Sequence, residues 1–244
     1  MVLVLNDLET RRFGVVCARI DGQASHFPDL SEVNREAEVQ DVAMISTRVD
    51  VSALDRVHAL EADGYRLMDT LVFYRRSLAN LPPLRPLPED VVIRLTTPDD
   101  APAVENLARS GFNGYFGHYH ADPRLSKTAA DGAYVEWAAT SISRTSATAP
   151  ALVALKAGEI AGFLTLRLLA AGSNELVLSA IHPRHKGKGL YTNLVQRALE
   201  LCANGPATHM LTSTQINNYS VQRTWSFLGF VHERSCYTFH KWMK

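Results

Sequence analysis

The stretch Glu175-Leu-Val-Leu-Ser-Ala-Ile-His-Pro-Arg-His-Lys-Gly-Lys-Gly-Leu-Tyr191 constrains this chain more than any other. It reads as a buried strand, a proline exit, a basic turn holding two glycines and the start of a helix. A helix N-terminus carries unpaired backbone N–H groups and a partial positive charge, and glycine lets that backbone come close to a ligand. Gly187 and Gly189 supply the freedom, Lys186 and Lys188 add local charge, and Leu190 and Tyr191 open the helix. The turn is therefore an anion cradle. Two common phosphate turns are excluded, because a dinucleotide fingerprint needs a third glycine where Thr192 stands and the P-loop pattern is absent. Lysine plus arginine equal aspartate plus glutamate at 25 each, so the charge is local and the composition argues against a nucleic acid polymer or an anionic membrane as partner.

The cradle sits inside an α/β pattern. Leu81-Pro-Pro-Leu-Arg-Pro-Leu-Pro88 cannot supply helix or sheet donors, so residues 81–90 are expected to link a smaller unit (1–80) to a larger one (91–244). Before the linker, strands are expected at 15–20, 42–47 and 65–75, with helices at 30–40 and 52–62. After it come a strand at 91–95, a helix ending at 110, an aromatic loop at 111–123 and a helix at 127–143. A meander follows at 151–156, 159–169 and 175–181, then helix 191–203, strand 210–214, helix 219–228 and a last strand at 230–241. The fold class is α/β, a mixed central sheet flanked by helices. Asp63-Gly64-Tyr65 echoes Leu228-Gly229-Phe230, so the first half reads as a partial copy of the second, without a glycine turn of its own. No stretch approaches the ~20 apolar residues of a membrane span, and no leader is evident, so a soluble cytoplasmic protein is expected. Cys17, Cys202 and Cys236 lie far apart with no CxxC, which predicts reduced thiols and no metal site.

Arg184-x-x-Gly187-x-Gly189, after Ile181-His-Pro183, matches an R/Q-x-x-G-x-G/A signature, and Asn218 through Gly229-Phe230 follows as a helix opened by Asn and closed by Gly-Phe. In these features the chain resembles the GNAT acetyltransferases. The resemblance implies acetyl-CoA as co-substrate, its pyrophosphate in the turn, its pantetheine arm along the strand at Ala180 and Ile181, and Asn218 near it. It also implies a tyrosine proton donor seven residues after the Asn, where this chain carries Trp225. An indole N–H does not give up its proton near neutral pH, so Trp225 is expected to pack against the cofactor. Tyr237 or water would then protonate the leaving thiolate. Glu175 and His118 are the leading candidates for the base, ahead of His120 and His182, with a water chain as the alternative.

Further segments narrow the resemblance: Arg-Arg-Phe13-Gly14-Val-Val, Tyr119-His-Ala-Asp122-Pro123, Tyr134-Val-Glu-Trp137, Thr214-Gln215-Ile-Asn-Asn218 and Ser235-Cys-Tyr237. They are similar to segments of the dTDP-fucosamine acetyltransferases. This implies a nucleotide-linked 4-amino-4,6-dideoxyhexose as acceptor, in the synthesis of a surface polysaccharide. Phe112, Tyr115, Tyr119, Asp122 and Arg124 would then meet the nucleotide sugar, by stacking and by pairing a phosphate, with Gln215 and Asn217 beside the acetyl site. The same aromatic loop could instead plug the core. Two other readings stay open: a GNAT enzyme for another small amine, and a CoA-binding sensor without catalysis. Phe239-His-Lys-Trp242 ends a last strand that is expected to be exposed and able to pair with a second subunit as a homodimer.

Overall fold

The computed structural model describes residues 3–168 and 172–244. The first half runs β1 (Leu3–Leu5), α1 (Asp7–Phe13), β2 (Cys17–Ile20), α2 (Leu30–Val39), β3 (Met44–Asp50), α3 (Leu54–Ala62) and β4 (Arg66–Ser77). The second runs β5 (Val91–Leu95), α4 (Ala101–Gly111), α5 (His118–Ala121), α6 (Lys127–Ser143), β6 (Ala151–Lys156), β7 (Glu159–Leu168) and β8 (Ser173–Ile181). It closes with α7 (Leu190–Ala203), β9 (His209–Gln215), α8 (Tyr219–Phe227) and β10 (Val231–Trp242). The predicted end of the seventh strand, Leu169, lies outside the described residues.

Local chemistry explains the element ends. The Ser126 hydroxyl accepts from the Ala129 N–H and starts α6, whose bounds agree with the sequence expectation. Ala157 and Gly158, with φ of 50° and 85°, turn β6 into β7 as a two-residue hairpin requires. Asn6 caps α1 by accepting from the Glu9 N–H, and Gly14 ends it in the left-handed region. Neither β1 nor α1 was expected, because three and seven residues are too few to show a periodicity. α5 likewise interrupts the predicted loop.

The described strands form one sheet in the order β1-β2-β3-β10-β4-β9-β8-β7-β6-β5. The last strand is therefore not an edge. β10 lies between β3 and β4 and pairs antiparallel with both, so its backbone has no free side for a second subunit; the edges are β1 and β5. Its half-polar pattern came from being covered differently on its two faces. Tyr237 and Phe239 enter a core with Val33 and Leu60 under α2 and α3, while Thr238 and His240 point to the other side. The proline segment forms neither helix nor strand, yet Leu81 and Leu87 pack on the core. It is a boundary in the chain and not in the sheet, since β10 of the second half completes the strands of the first.

α7 and α8 cover one face of the central strands, where Leu194, Val195, Trp225 and Phe230 meet Val72, Tyr74 and Leu176. α4 and α6 cover the other face of the meander through Val104, Leu107, Ala138 and Ile142 against Val153 and Phe163. Trp225 is 2% exposed and stacks at 5.4 Å from Tyr74 and 6.2 Å from Phe230. Trp225→Ala is expected to cost about 3–5 kcal/mol, as large-to-small core changes of Trp do. A melting temperature lower by on the order of 10 °C would record it.

Candidate active site

Two adjacent strands open a gap at the centre of the sheet. β8 and β9 pair in parallel from Ser173↔His209 to Leu176↔Thr212 and then diverge, so residues 177–181 have no strand partner on that side. A register shift between β7 and β8 at Thr165/Leu166 precedes the divergence. Past Ile181, Pro183–His185 makes a single tight turn, and Gly187 and Gly189 adopt φ of 76° and 78°. A Cβ on either glycine would meet nothing within 4 Å, so glycine is favoured here by the left-handed backbone and not by crowding. Gly189 caps α7 with no side-chain hydrogen bond, which leaves the first-turn N–H groups to an outside acceptor. Lys186 Nζ donates to the Gly111 carbonyl at 3.4 Å and Lys188 Nζ to the Arg184 carbonyl at 3.1 Å, which places both ammonium groups at the turn. At the far lip of the gap, Asn218 Nδ2 donates to Thr214 Oγ1 at 3.0 Å and ties the start of α8 to the end of β9.

The second feature is a cluster of polar side chains, called the polar pocket below, on the α4–α6 side of β9, β4, β10 and β3. Strand register puts Thr238 beside both Asp69 and Arg48 on that side. Tyr115 donates its hydroxyl proton to Gln215 Oε1, and Gln215 Nε2 donates to Asp69 Oδ2 at 3.5 Å. Tyr119 donates to Glu9 Oε1 at 2.7 Å. Asp69 Oδ1, Glu9 Oε2 and Arg12 Nε are buried without a hydrogen-bond partner. Buried polar groups are nearly always paired, so three such atoms in one cluster leave hydrogen-bonding capacity unused there. Burial raises the Tyr115, Tyr119 and Tyr134 phenols well above their usual range, with smaller contributions from Tyr134 and Asp69 on Tyr115, from Glu9 on Tyr119, and from Tyr119 and Asp69 on Tyr134. All three are neutral hydroxyls at physiological pH, able to donate and accept. Arg12 and Arg48 act on both Tyr119 and Tyr134 in the opposite sense.

Residues 113–230 match the model of the Acetyltransferase (GNAT) family. These residues form a GNAT domain. A GCN5-related N-acetyltransferase from Sphaerobacter thermophilus has the same fold at a TM-score of 0.68, over 99% of this chain and 76% of that one, with 16% identity. A tandem GNAT protein from the clavulanic acid biosynthesis pathway matches at 0.66, over 93% and 75%, with 13% identity. The spore coat polysaccharide biosynthesis protein SpsD of Bacillus subtilis (strain 168) is 30% identical over 145 residues, 59% of this chain and 48% of that protein. The matched region thus spans about half the length of that curated relative. Among the described residues, no group of three His, Cys, Asp or Glu could hold a metal ion, and no helix is long and apolar enough to cross a membrane.

The GNAT domain brings some of the expected residues to the gap and turns others away. Gly187, Gly189, Leu190 and the backbone of Ala180 and Ile181 lie along the β8–α7 side of the gap, although the Ala180 and Ile181 side chains pack inward. Trp225 does not offer a face to the gap: it is core, and its Nε1 donates to the Tyr191 hydroxyl at 3.0 Å. Burial pushes that Tyr191 phenol up to about 12, opposed by the hydrogen bonds of Ser179 and Trp225. Tyr237 points to the face under α2 and α3, T-shaped to Phe239 at 6.3 Å, and so stands away from the polar pocket. Glu175 lies in the paired part of β8, where its carboxylate meets Arg167 at 2.6 Å. Phe112 is a core residue between Tyr115, Tyr134 and Phe163, which bears out the plug reading for that part of the loop.

Tyr115, Tyr119 and Gln215 do line the polar pocket. Asn217 is exposed in the turn after β9. Arg124 is exposed, its guanidinium 4.1 Å above the Trp242 ring. Asp122, expected to face substrate, is buried, with its carboxylate taken by His240, Trp242 and the Arg124 N–H. His118, a leading candidate for the base, is buried at the start of α5 with Nδ1 at 2.9 Å from His240 Nε2. Sequence reasoning missed Glu9, Arg48, Asp69 and His240. A charge inside the apolar run Leu71-Val-Phe and its preceding Arg66-Leu-Met-Asp-Thr was the one available signal, at Asp69.

Proposed function

We propose that this chain transfers an acetyl group from acetyl-CoA to the amino group of a nucleotide-linked amino-deoxysugar, of the dTDP-4-amino-4,6-dideoxyhexose type, by direct attack in a ternary complex. The observation that carries this reading is the gap between β8 and β9, which opens toward an anion cradle after β8 and toward a cluster of polar side chains around Gln215 at the end of β9. The residues present fit an acyl-CoA. The first-turn N–H groups of α7 and the two left-handed glycines would receive the pyrophosphate, and the unpaired edge of residues 177–181 would receive the pantetheine arm. When bound, acetyl-CoA supplies the activated acyl group.

The pocket would take the acceptor. Its carboxylates at Asp69 and Glu9, each with one buried oxygen lacking a hydrogen-bond partner, suit an ammonium and hydroxyl groups, and its phenols and amide suit a polyhydroxylated ring better than an aliphatic chain. Arg12 adds an N–H without a partner. The similarity to a protein named for polysaccharide biosynthesis supports a sugar acceptor. Within this reading the first half serves as a partial GNAT-like unit that walls the acceptor pocket, and residues 91–244 carry the transfer. The likeness to a tandem GNAT protein over 93% of the chain supports that division. We place the reaction in the cytoplasm, where both substrates would be met.

A specific observation favours the sensor alternative: Trp225 stands where the resemblance implies a tyrosine. The test is thiol release from acetyl-CoA with nucleotide-linked 3-amino and 4-amino deoxysugars, with spermidine and short peptides as comparison acceptors. Saturable turnover on an amino sugar is the expected result. Activity confined to spermidine or peptides would overturn the acceptor class, and CoA binding with no turnover on any amine would favour the sensor.

A further inference from the structure

Behind the polar pocket lies a line of three buried ionisable side chains. Asp122, 2% exposed, accepts at Oδ2 from His240 Nδ1 and from Trp242 Nε1, both at 2.9 Å, and at Oδ1 from the Arg124 N–H at 3.0 Å. His240, 1% exposed on the internal strand β10, places Nε2 at 2.9 Å from His118 Nδ1. Packing alone does not call for this arrangement, because apolar side chains of similar volume fill such a space without desolvating a charge. The backbone just before His118 abuts the acceptor pocket: a Cβ on Gly117 would stand 2.7 Å from the Tyr134 hydroxyl and 3.3 Å from Gln215 Nε2. The His118 ring lies 3.9 Å from that of Tyr119, and it keeps 7% exposure.

The hydrogen bonds fix the tautomers. Burial opposes ionisation of Asp122, but the bonds from His240, Trp242 and the Arg124 N–H outweigh it and hold the carboxyl below its usual range. An ionised Asp122 only accepts, so His240 Nδ1 carries a hydrogen and its Nε2, in the neutral ring, does not. His118 Nδ1 must then donate to His240. This leaves His118 Nε2 unprotonated, with no hydrogen bond to the described residues.

We infer that Asp122, His240 and His118 form a proton relay in which His118 Nε2 is the base for the acceptor amine, and Asp122 and His240 are positioning residues. This inference rests on the acyl-transfer reading above. The acceptor arrives as an ammonium and gives one proton to His118 Nε2, while the Nδ1 proton of His118 passes to His240 Nε2. The positive charge then rests on the His240 imidazolium against Asp122. The freed nitrogen lone pair forms the C–N bond, the C–S bond breaks, and the second amine proton ends on the thiolate. After product leaves, the stored proton returns through His118 to solvent, so that one ammonium and one thioester yield one amide, one thiol and one proton.

Several groups set the pH at which His118 works. Burial first, then repulsion from His240 on β10, Arg48 on β3 and His120 on its own helix, keep its imidazolium form well below the usual range. Asp69 of β4, Tyr134 of α6 and Glu9 of α1 belong to the neighbouring polar cluster, where Asp69 acts on Tyr134 and Glu9 on Tyr119. The base is therefore neutral and available at pH 7.

The test has a readout that needs no acceptor. In the wild-type protein labelled with 15N-histidine, at pH 7 with CoA, both His118 and His240 are expected as neutral Nδ1–H tautomers. An Nε2–H tautomer at His118 would overturn the relay. Kinetics with dTDP-4-amino-4,6-dideoxygalactose or its glucose epimer then separate the roles. His118→Gln is expected to lower kcat about 10²–10⁴-fold, and His240→Gln and Asp122→Asn about 10–100-fold, as loss of an orienting partner does. The KM for acetyl-CoA should stay unchanged. Asp122→Asn should also move the acid limb of the kcat profile to lower pH, because the lost carboxylate had favoured the protonated pair. A lowered melting temperature with kcat and the acid limb unchanged would assign the trio a structural role and overturn the proposal. If the wild type shows the expected tautomers and binds CoA but acetylates no amine, the acyl-transfer reading fails, and with it the relay.

Discussion

Gly189→Asp is expected to leave the chain folded and to weaken acetyl-CoA binding by about a hundredfold or more. A Cβ at this position meets no atom within 4 Å, so the φ of 78° is the one source of strain, on the order of 1 kcal/mol for an aspartate, which a chain of this size survives. The same aspartate sits at the cap of α7, where its carboxylate would accept from the first-turn N–H groups and occupy the donors a pyrophosphate needs. Like charges about 4 Å apart near a protein surface repel by about 4 kcal/mol before salt screening. Half of that already exceeds a tenfold loss, since each 1.4 kcal/mol is a factor of ten. Calorimetric titration with CoA, set beside the melting temperature, reads both halves of the prediction. Gly189→Ala is the companion variant: it adds backbone strain without charge and should bind far better than the aspartate. Equal affinity of wild type and Gly189→Asp would move the cradle elsewhere.

Asp69→Ala is expected to separate function from stability. In the wild type one carboxylate oxygen is buried with no partner and the other has only a 3.5 Å bond from Gln215. Removing a charge so poorly compensated relieves a desolvation penalty, so the variant should melt no lower than the wild type. Truncating a buried carboxylate that pairs with a ligand ammonium costs about 2–5 kcal/mol, which corresponds to a fall in kcat/KM for the amine of about 30-fold to several thousandfold. The acetyl-CoA affinity should not change. A melting temperature several degrees lower with kinetics intact would make Asp69 a structural residue and shift the ammonium site toward Glu9.

The glycine turn before α7 was legible because it is local. Gly187, Gly189 and the start of α7 are consecutive, and their left-handed backbone and unpaired N–H groups follow from residue type and position alone. The α6 helix and the β6–β7 hairpin were legible for the same reason, since a cap, a turn and a periodic run each act over a few residues. Trp225 shows the limit of motif reasoning. Its position in a resemblance suggested cofactor contact, whereas its neighbours Tyr74 and Phe230 make it core.

The polar cluster proposed to take the acceptor was not legible. Glu9 comes from α1, Arg48 from β3, Asp69 from β4, and His118 and His240 lie 122 positions apart. No spacing along the chain reports these proximities, because strand pairing creates them. The sequence by itself determined the α/β class, the glycine cradle, the helix caps and the hairpin, all set by short-range sterics and hydrogen bonding. Only the tertiary structure decided that β10 is inserted between β3 and β4, and with it the polar pocket, the Asp122–His240–His118 line and the face to which Tyr237 points. The physical reason is that a strand's neighbours are chosen by the hydrophobic burial available on both its faces, a property of the whole sheet and not of any segment in it.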